Sequence, residues 1–236
     1  SEGMMSILMA EIKGASSDQS IKVIVLAANG NVFCSGHDLK EITAARENED
    51  SGEVYFKNLF DSCSALMQLI VNTPQPVIAE VDGVATAAGC QLVASCDLAI
   101  ASHESKFATP GVNIGLFCST PMVALSRNVN KKNAMEMLLT GDFINAEKAK
   151  EIGLINNMVQ KEELTFEVRK LAKKIASKSS MTVSIGKKAF YAQAEMDLSK
   201  AYKYTSKTMK DNLLKYDAKE GINAFIEKRS PDWKDE

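Results

Sequence analysis

The stretch Pro76–Gly115, PVIAEVDGVATAAGCQLVASCDLAIASHESKFATPGVNIG, carries the strongest chemical signal in this chain of 236 residues. A short apolar strand, Val77–Val81, runs into Asp82-Gly83. Small residues follow from Val84 to Gly89, and a helix-like apolar segment covers 87–96. Strand, small-residue turn and helix start set several backbone N–H groups side by side, with the helix dipole behind them. Such an arrangement can hold a negatively charged oxygen. The carboxylates that usually move protons beside such an oxygen are missing. No Asp or Glu lies between Asp82 and Asp97, and none between Glu104 and Glu136.

Periodicity gives the elements that must position this cradle. Residues 3–13 read as an amphipathic helix with Met4, Ile7, Leu8, Met9 and Ile12 on one side. Ile21–Ala28 is apolar and β-branched apart from Lys22, which predicts a buried strand of a parallel sheet. Val32–Leu39 reads as a short strand and a glycine turn, and the charged 40–53 as a surface helix or mobile segment. Helical spacing over 54–71 (Phe56, Leu59, Phe60, Cys63, Leu66, Met67, Ile70) ends at Thr73-Pro74-Gln75-Pro76. After strand 77–81 and helix 87–96 comes a strand over 97–101. Strands separated by helices predict an α/β fold with a mostly parallel sheet. Short helices follow at 120–129, 132–139 and 145–152, the last capped by Asn145, and a final strand at 155–159. Beyond Glu162 nearly everything is helical, at 164–176, 183–196, 198–214 and 218–228. The chain therefore divides into a core over 1–160 and a helical region over 161–236.

Bulk properties narrow the function. A net charge of −2 argues against a general nucleic-acid binder. No apolar run is long enough to span a bilayer as a helix. Neither nucleic acid nor membrane is therefore an expected partner. Residues 1–160 carry 11 Lys/Arg against 18 Asp/Glu, whereas 161–236 carry 17 against 12. Solvated helix faces account for this asymmetry, and so would a basic tail that meets an anionic, phosphorylated ligand. Cys34, Cys63, Cys90, Cys96 and Cys118 show no paired metal spacing, and with two histidines a metal site is not expected. Free buried thiols are the expected state.

Four segments in order carry a resemblance over nearly the whole chain: VFCSGHDLKE (Val32–Glu41), VDGVATAAGCQLVASCD (Val81–Asp97), FATPGVNIGL (Phe107–Leu116) and AFIEKRSPDWKD (Ala224–Asp235). Together they resemble the enoyl-CoA hydratase/isomerase, or crotonase, superfamily. The resemblance implies a crotonase-like spiral of ββα units with a helical C-terminal trimerisation region, giving a homotrimer or hexamer. It implies an acyl-CoA thioester as ligand, with coenzyme A only as part of that ligand, no other cofactor, and a mitochondrial location. It places the two backbone N–H groups that hold the thioester oxygen at His37 and Ala88. Coenzyme A contacts are implied at Ser35, His37, Asp38, Leu39, Lys40 and Ala88, and at Phe225 and Lys228, often across a subunit boundary. The family begins with a β-hairpin and an Asn-Ala-Leu segment before its first helix, and this chain starts at about that helix.

One departure bears on chemistry. Hydratases of the family use two glutamates, and these align with Gln91 and Gly111. An amide is no base at neutral pH, and glycine has no side chain. Each lost acid or base costs roughly 10²–10⁴ in rate, so negligible conventional hydration is expected, and restoring both glutamates is expected to raise it. Three readings stay open: an acyl-CoA enzyme that needs only the oxyanion site, such as a decarboxylase of malonyl-type thioesters or one using a small anion in the space beside Gly111; a regulatory or acyl-CoA-binding protein without turnover; and a weak hydratase or isomerase using other groups. The His37 side chain is a candidate base, although one pointing away is the plainer reading. Gln91 could hold a ligand or simply be a satisfied helix residue. Cys118, near the implied acyl pocket, is a candidate nucleophile with no base nearby in sequence. Asn113 could orient a ligand. His103, Asp38, Asp82 and Asp97 read as loop, turn and strand-end residues, and Trp233 as a tail anchor.

Overall fold

The computed structural model describes residues 1–236, and its eight strands are shared between two four-stranded sheets. The first contains β1 (Ile24–Ala27), β3 (Val77–Val81), β5 (Leu98–Ser102) and β8 (Asn157–Val159), in that order and all parallel. The second contains β2 (Val32–Cys34), β4 (Val84–Thr86), β6 (Lys106–Ala108) and the antiparallel β7 (Ile144–Asn145). From β1 to β6, odd strands therefore enter one sheet and even strands the other, and β7 and β8 reverse the alternation. The chain winds as a spiral in which a pair of strands is followed by a helix. Turns as tight as Asp82-Gly83 switch it between sheets: a β-carbon on Gly83, at φ +80°, would lie 2.0 Å from the Asn31 carbonyl oxygen.

The helices of the core are α1 (Glu2–Ser17), α2 (Leu39–Ala45), α3 (Glu53–Asn72) and α4 (Ala88–Ser95). α5 (Pro121–Asn128), α6 (Lys131–Thr140) and α7 (Ala146–Glu151) follow. The main core joins Leu59, Cys63, Leu66 and Ile70 of α3 to Val77, Ala79 and Val81 of β3 and to Cys90 and Val93 of α4. α8 (Lys161–Ala176) covers the other face of the first sheet, where Leu164 and Val168 pack on Ile78 and Ile100. α9 (Ser180–Ala194), α10 (Leu198–Leu213) and α11 (Tyr216–Glu227) complete the chain. α9 is fixed by a buried ion pair. Lys187 Nζ lies 2.7 Å from Asp97 Oδ2 and donates to the carbonyls of Ile70 and Gln75, while the Tyr191 hydroxyl donates to Asp97 Oδ1 at 2.9 Å. Asp97 is thus an anchor as well as a strand-end residue.

Three expectations need correction. β1 is shorter than 21–28 and only half-buried, with Val25 exposed. The apolar side of α1 is split: Met5 and Ile12 are buried, while Met4 and Ile7 face out. The small-residue run after Gly83 opens with β4, and β6 and β7 stand where the sequence shows no strand signal. These strands are two or three residues long, too short to display a period. Elsewhere the agreement is close. Asn145 caps α7 by accepting from the Lys148 N–H at 2.8 Å, and all five cysteines are free thiols.

Candidate functional site

The site is built on the start of α4. Ala87, the residue before it, sits at φ +51°, ψ −119°, a region that non-glycine residues rarely occupy. Its N–H is tied to the Ala108 carbonyl at 3.0 Å, and its own carbonyl accepts from Gln91 N–H at 3.0 Å. No side chain caps the helix, although all eight of its residues are buried. The first helical N–H groups have no acceptor within their own helix, and no residue elsewhere in the chain accepts from Ala88 N–H. A buried, uncapped helix start of this kind favours partial negative charge.

β2 delivers the second half. A β-carbon on Gly89 would lie 1.9 Å from the Cys34 carbonyl oxygen, so only glycine lets the end of β2 lie against α4. Thr86 Oγ1 donates to the Ser35 carbonyl at 3.2 Å and pins the loop. Gly36 then turns at φ +99°, and a β-carbon there would stand 3.3 Å from Ala88 N. The next N–H, that of His37, makes no hydrogen bond within the chain. Two residues whose N–H groups have no partner in the chain therefore lie close together, on segments that Gly36 and Gly89 bring into contact.

Both border a cavity of about 60 Å³. Its wall contains Met4, Met5 and Leu8 of α1, Cys63, Leu66 and Met67 of α3, Ala88 and Leu92 of α4, and Cys34, Gly36 and His37. No carboxylate lines it. α1 and α3 line the wall, and the helices of 120–139 contribute nothing to it. The His37 ring meets the edge of Phe60 at 5.5 Å between centroids, and its Nε2 is buried with no partner. Burial, above all, holds its pKa below the ordinary histidine value. The Cys63 thiol, pushed up to about 11 by burial, donates to Gln91 Oε1 at 3.7 Å. Gln91 itself is buried and does not reach the cavity wall.

The space beside Gly111 is not vacant, contrary to expectation. Pro110–Ile114 forms a 3₁₀ turn closed by Leu116 N–H donating to the Gly111 carbonyl at 2.9 Å. A β-carbon on Gly111 would lie 2.4 Å from the Leu116 carbonyl oxygen and 2.9 Å from Cys118 Sγ. A glutamate cannot simply be restored there, and a small anion finds the position filled. Cys118 is buried and its thiol pKa is raised by that burial, which opposes a nucleophilic role. Cys90 is pushed up to about 12 for the same reason.

Other expected site residues are scattered. Asp38 caps α2 through Lys40 N–H at 2.8 Å, and Ser35, Leu39 and Lys40 are exposed beside the loop. Phe225, 85% exposed, and Lys228 lie on and just after α11 and are not part of the cavity wall of their own chain. His103 and Asn113 are exposed. The cavity-lining methionines of α1 and α3 escaped sequence reasoning, because helical spacing looks alike for a core face and a cavity wall.

A family profile described as enoyl-CoA hydratase/isomerase matches residues 1–236. The chain belongs to this family. It is similar to the rat protein named enoyl-CoA hydratase domain-containing protein 3, mitochondrial, at 52% identity over 230 residues, covering 98% of this chain and 75% of that one. The crystal structure of an enoyl-CoA hydratase of Mycobacterium smegmatis superposes with a TM-score of 0.94 at 47% identity, covering 98% of this chain and 88% of that one. The human enoyl-CoA hydratase domain-containing protein 3 superposes at 0.93 and 51% identity, covering 98% and 89%. The spiral of strand pairs and helices is thus the crotonase fold, and the parallel sheets and C-terminal helices are those of the family.

Proposed function

We propose that the protein binds an acyl-CoA thioester with its acyl group in the cavity between α1, α3 and α4, and polarises the thioester carbonyl with the main-chain N–H groups of His37 and Ala88. One observation supports this reading: His37 and Ala88, whose N–H groups have no partner in the chain, both line one apolar cavity. Neither conventional hydratase carboxylate is available, since Gln91 faces Cys63 and Gly111 is pressed against a carbonyl. Each remaining oxyanion donor can still contribute roughly 10²–10³ in rate. The activity we assign is therefore enolate-forming or purely binding, with little conventional hydration. No Lys or Arg lines the cavity to receive the second carboxylate of a malonyl-type thioester, which favours a simple acyl group over decarboxylation. Exposed apolar side chains on the last helices, among them Leu198, Tyr202, Leu214 and Phe225, support a homotrimer or hexamer in which Phe225 and Lys228 reach a neighbour's coenzyme A. A mitochondrial location follows the names of the similar proteins.

Titration calorimetry with butyryl-CoA, beside a crotonyl-CoA hydration assay, tests the reading. Binding with hydration far below ordinary turnover of about 10 s⁻¹ is expected. No binding of any acyl-CoA, or hydration near that rate, contradicts it.

A further inference from the structure

We propose that the His37 imidazole is the proton-transfer group of this site, its buried, unpartnered Nε2 taking the α-proton of the acyl thioester whose oxygen the His37 and Ala88 N–H groups hold. The inference rests on the acyl-CoA reading above. Position 37 then supplies two separate groups: a main-chain donor common to any residue, and a ring that belongs to histidine alone.

The argument is one of elimination around the cavity. With no carboxylate in the wall, the ionisable side chains there are His37, Cys34 and Cys63. Thiols remain mostly protonated near neutral pH, whereas an imidazole is mostly neutral with one nitrogen free to accept. Cys63 is further disqualified, since its thiol is raised to about 11 and its proton is directed at Gln91. Nε2 of His37 is buried and bonds to nothing in the chain, while the Phe60 edge supports the ring. Buried polar atoms nearly always find a partner, and an orphan on a residue that lines a cavity calls for a partner the chain itself does not supply. With its proton on Nδ1, the ring keeps the Nε2 lone pair free to accept. Burial keeps it neutral, ready to accept.

The step balances without a further reagent. Nε2 removes a proton from the α-carbon, and the C–H electron pair becomes a C=C bond. The carbonyl pair moves to oxygen, forming an enolate that receives two N–H hydrogen bonds. The imidazolium then returns a proton to the same carbon, so a saturated acyl-CoA exchanges its α-hydrogen with solvent and is otherwise unchanged.

Deuterium incorporation into butyryl-CoA in heavy water, followed by proton NMR, reads this step. The protein is expected to catalyse exchange. His37→Ala and His37→Gln keep the main-chain N–H, so both should bind butyryl-CoA with little change while losing exchange by ~10² or more, and added imidazole should restore part of it in His37→Ala. Exchange unchanged in both folded variants overturns the proposal, as does binding without exchange by the unaltered protein. Failure of the unaltered protein to bind butyryl-CoA overturns the acyl-CoA reading, and this inference with it.

Discussion

Placing a glutamate at Gly111 should destabilise the protein rather than restore a hydratase. The first atom of any side chain there meets the Leu116 carbonyl oxygen at 2.4 Å, where real β-carbons stay beyond 3.0 Å, so the turn must open by about 0.6 Å. Overpacking of this kind costs about 1–3 kcal/mol. Losing the Leu116 N–H to Gly111 carbonyl hydrogen bond adds about 0.5–1.5 kcal/mol. A total of about 1.5–4.5 kcal/mol lowers the melting temperature by roughly 3–18 °C in a chain of this size. Gly111→Ala, which adds only the β-carbon, should show most of the same loss in scanning calorimetry. Gln91→Glu adds no bulk and should be tolerated better, yet the Gln91→Glu/Gly111→Glu pair should still fail to hydrate crotonyl-CoA at ordinary rates. A Gly111→Ala protein that melts with the parent, or a double variant turning over at about 10 s⁻¹, refutes the steric argument.

Three further outcomes follow. Gly89→Ala sets a β-carbon 1.9 Å from the Cys34 carbonyl and should separate β2 from α4, abolishing acyl-CoA binding in calorimetry even where the fold survives. The α-hydrogen exchange rate should be flat at high pH and fall on acidification with a midpoint below the ordinary histidine value of about 6.5. Burial disfavours the charged ring and Glu41 opposes it; a midpoint above the ordinary value contradicts the neutral, buried ring. Finally, Arg229, whose Nη2 donates to Glu220 Oε2 at 2.8 Å, and then Asp232 N–H hold the Glu220 carboxyl down at about 2. That stabilisation is present above the unfolded value of about 4.5 and is lost as pH falls through the folded one. Trp233, the single tryptophan, donates to the Ser177 carbonyl, so its emission should shift within that window and stay constant above it.

How far the letters carried depended on how local each feature is. β3 was legible because four apolar residues, interrupted only by Glu80, stand between Pro76 and Asp82-Gly83, and α3 because its buried side recurs at helical spacing over twenty residues. β4 and β6 were not, since a three-residue strand is defined by its partners and not by its own pattern. The helix-start half of the site could be read from strand, small residues and helix, whereas the His37 half came only through family resemblance. What decides the chemistry at Gly111 is the approach of one backbone carbonyl from Leu116, which no residue type announces. The Lys187–Asp97 pair joins residues ninety positions apart and left no trace in composition.

The most direct measurement is the infrared difference spectrum of butyryl-CoA labelled with ¹³C at the thioester carbonyl, free and bound. Two converging N–H donors should lower the carbonyl stretching frequency on binding, and the shift should persist in His37→Ala because the donors belong to the main chain. A bound thioester whose carbonyl absorbs where the free one does contradicts the account.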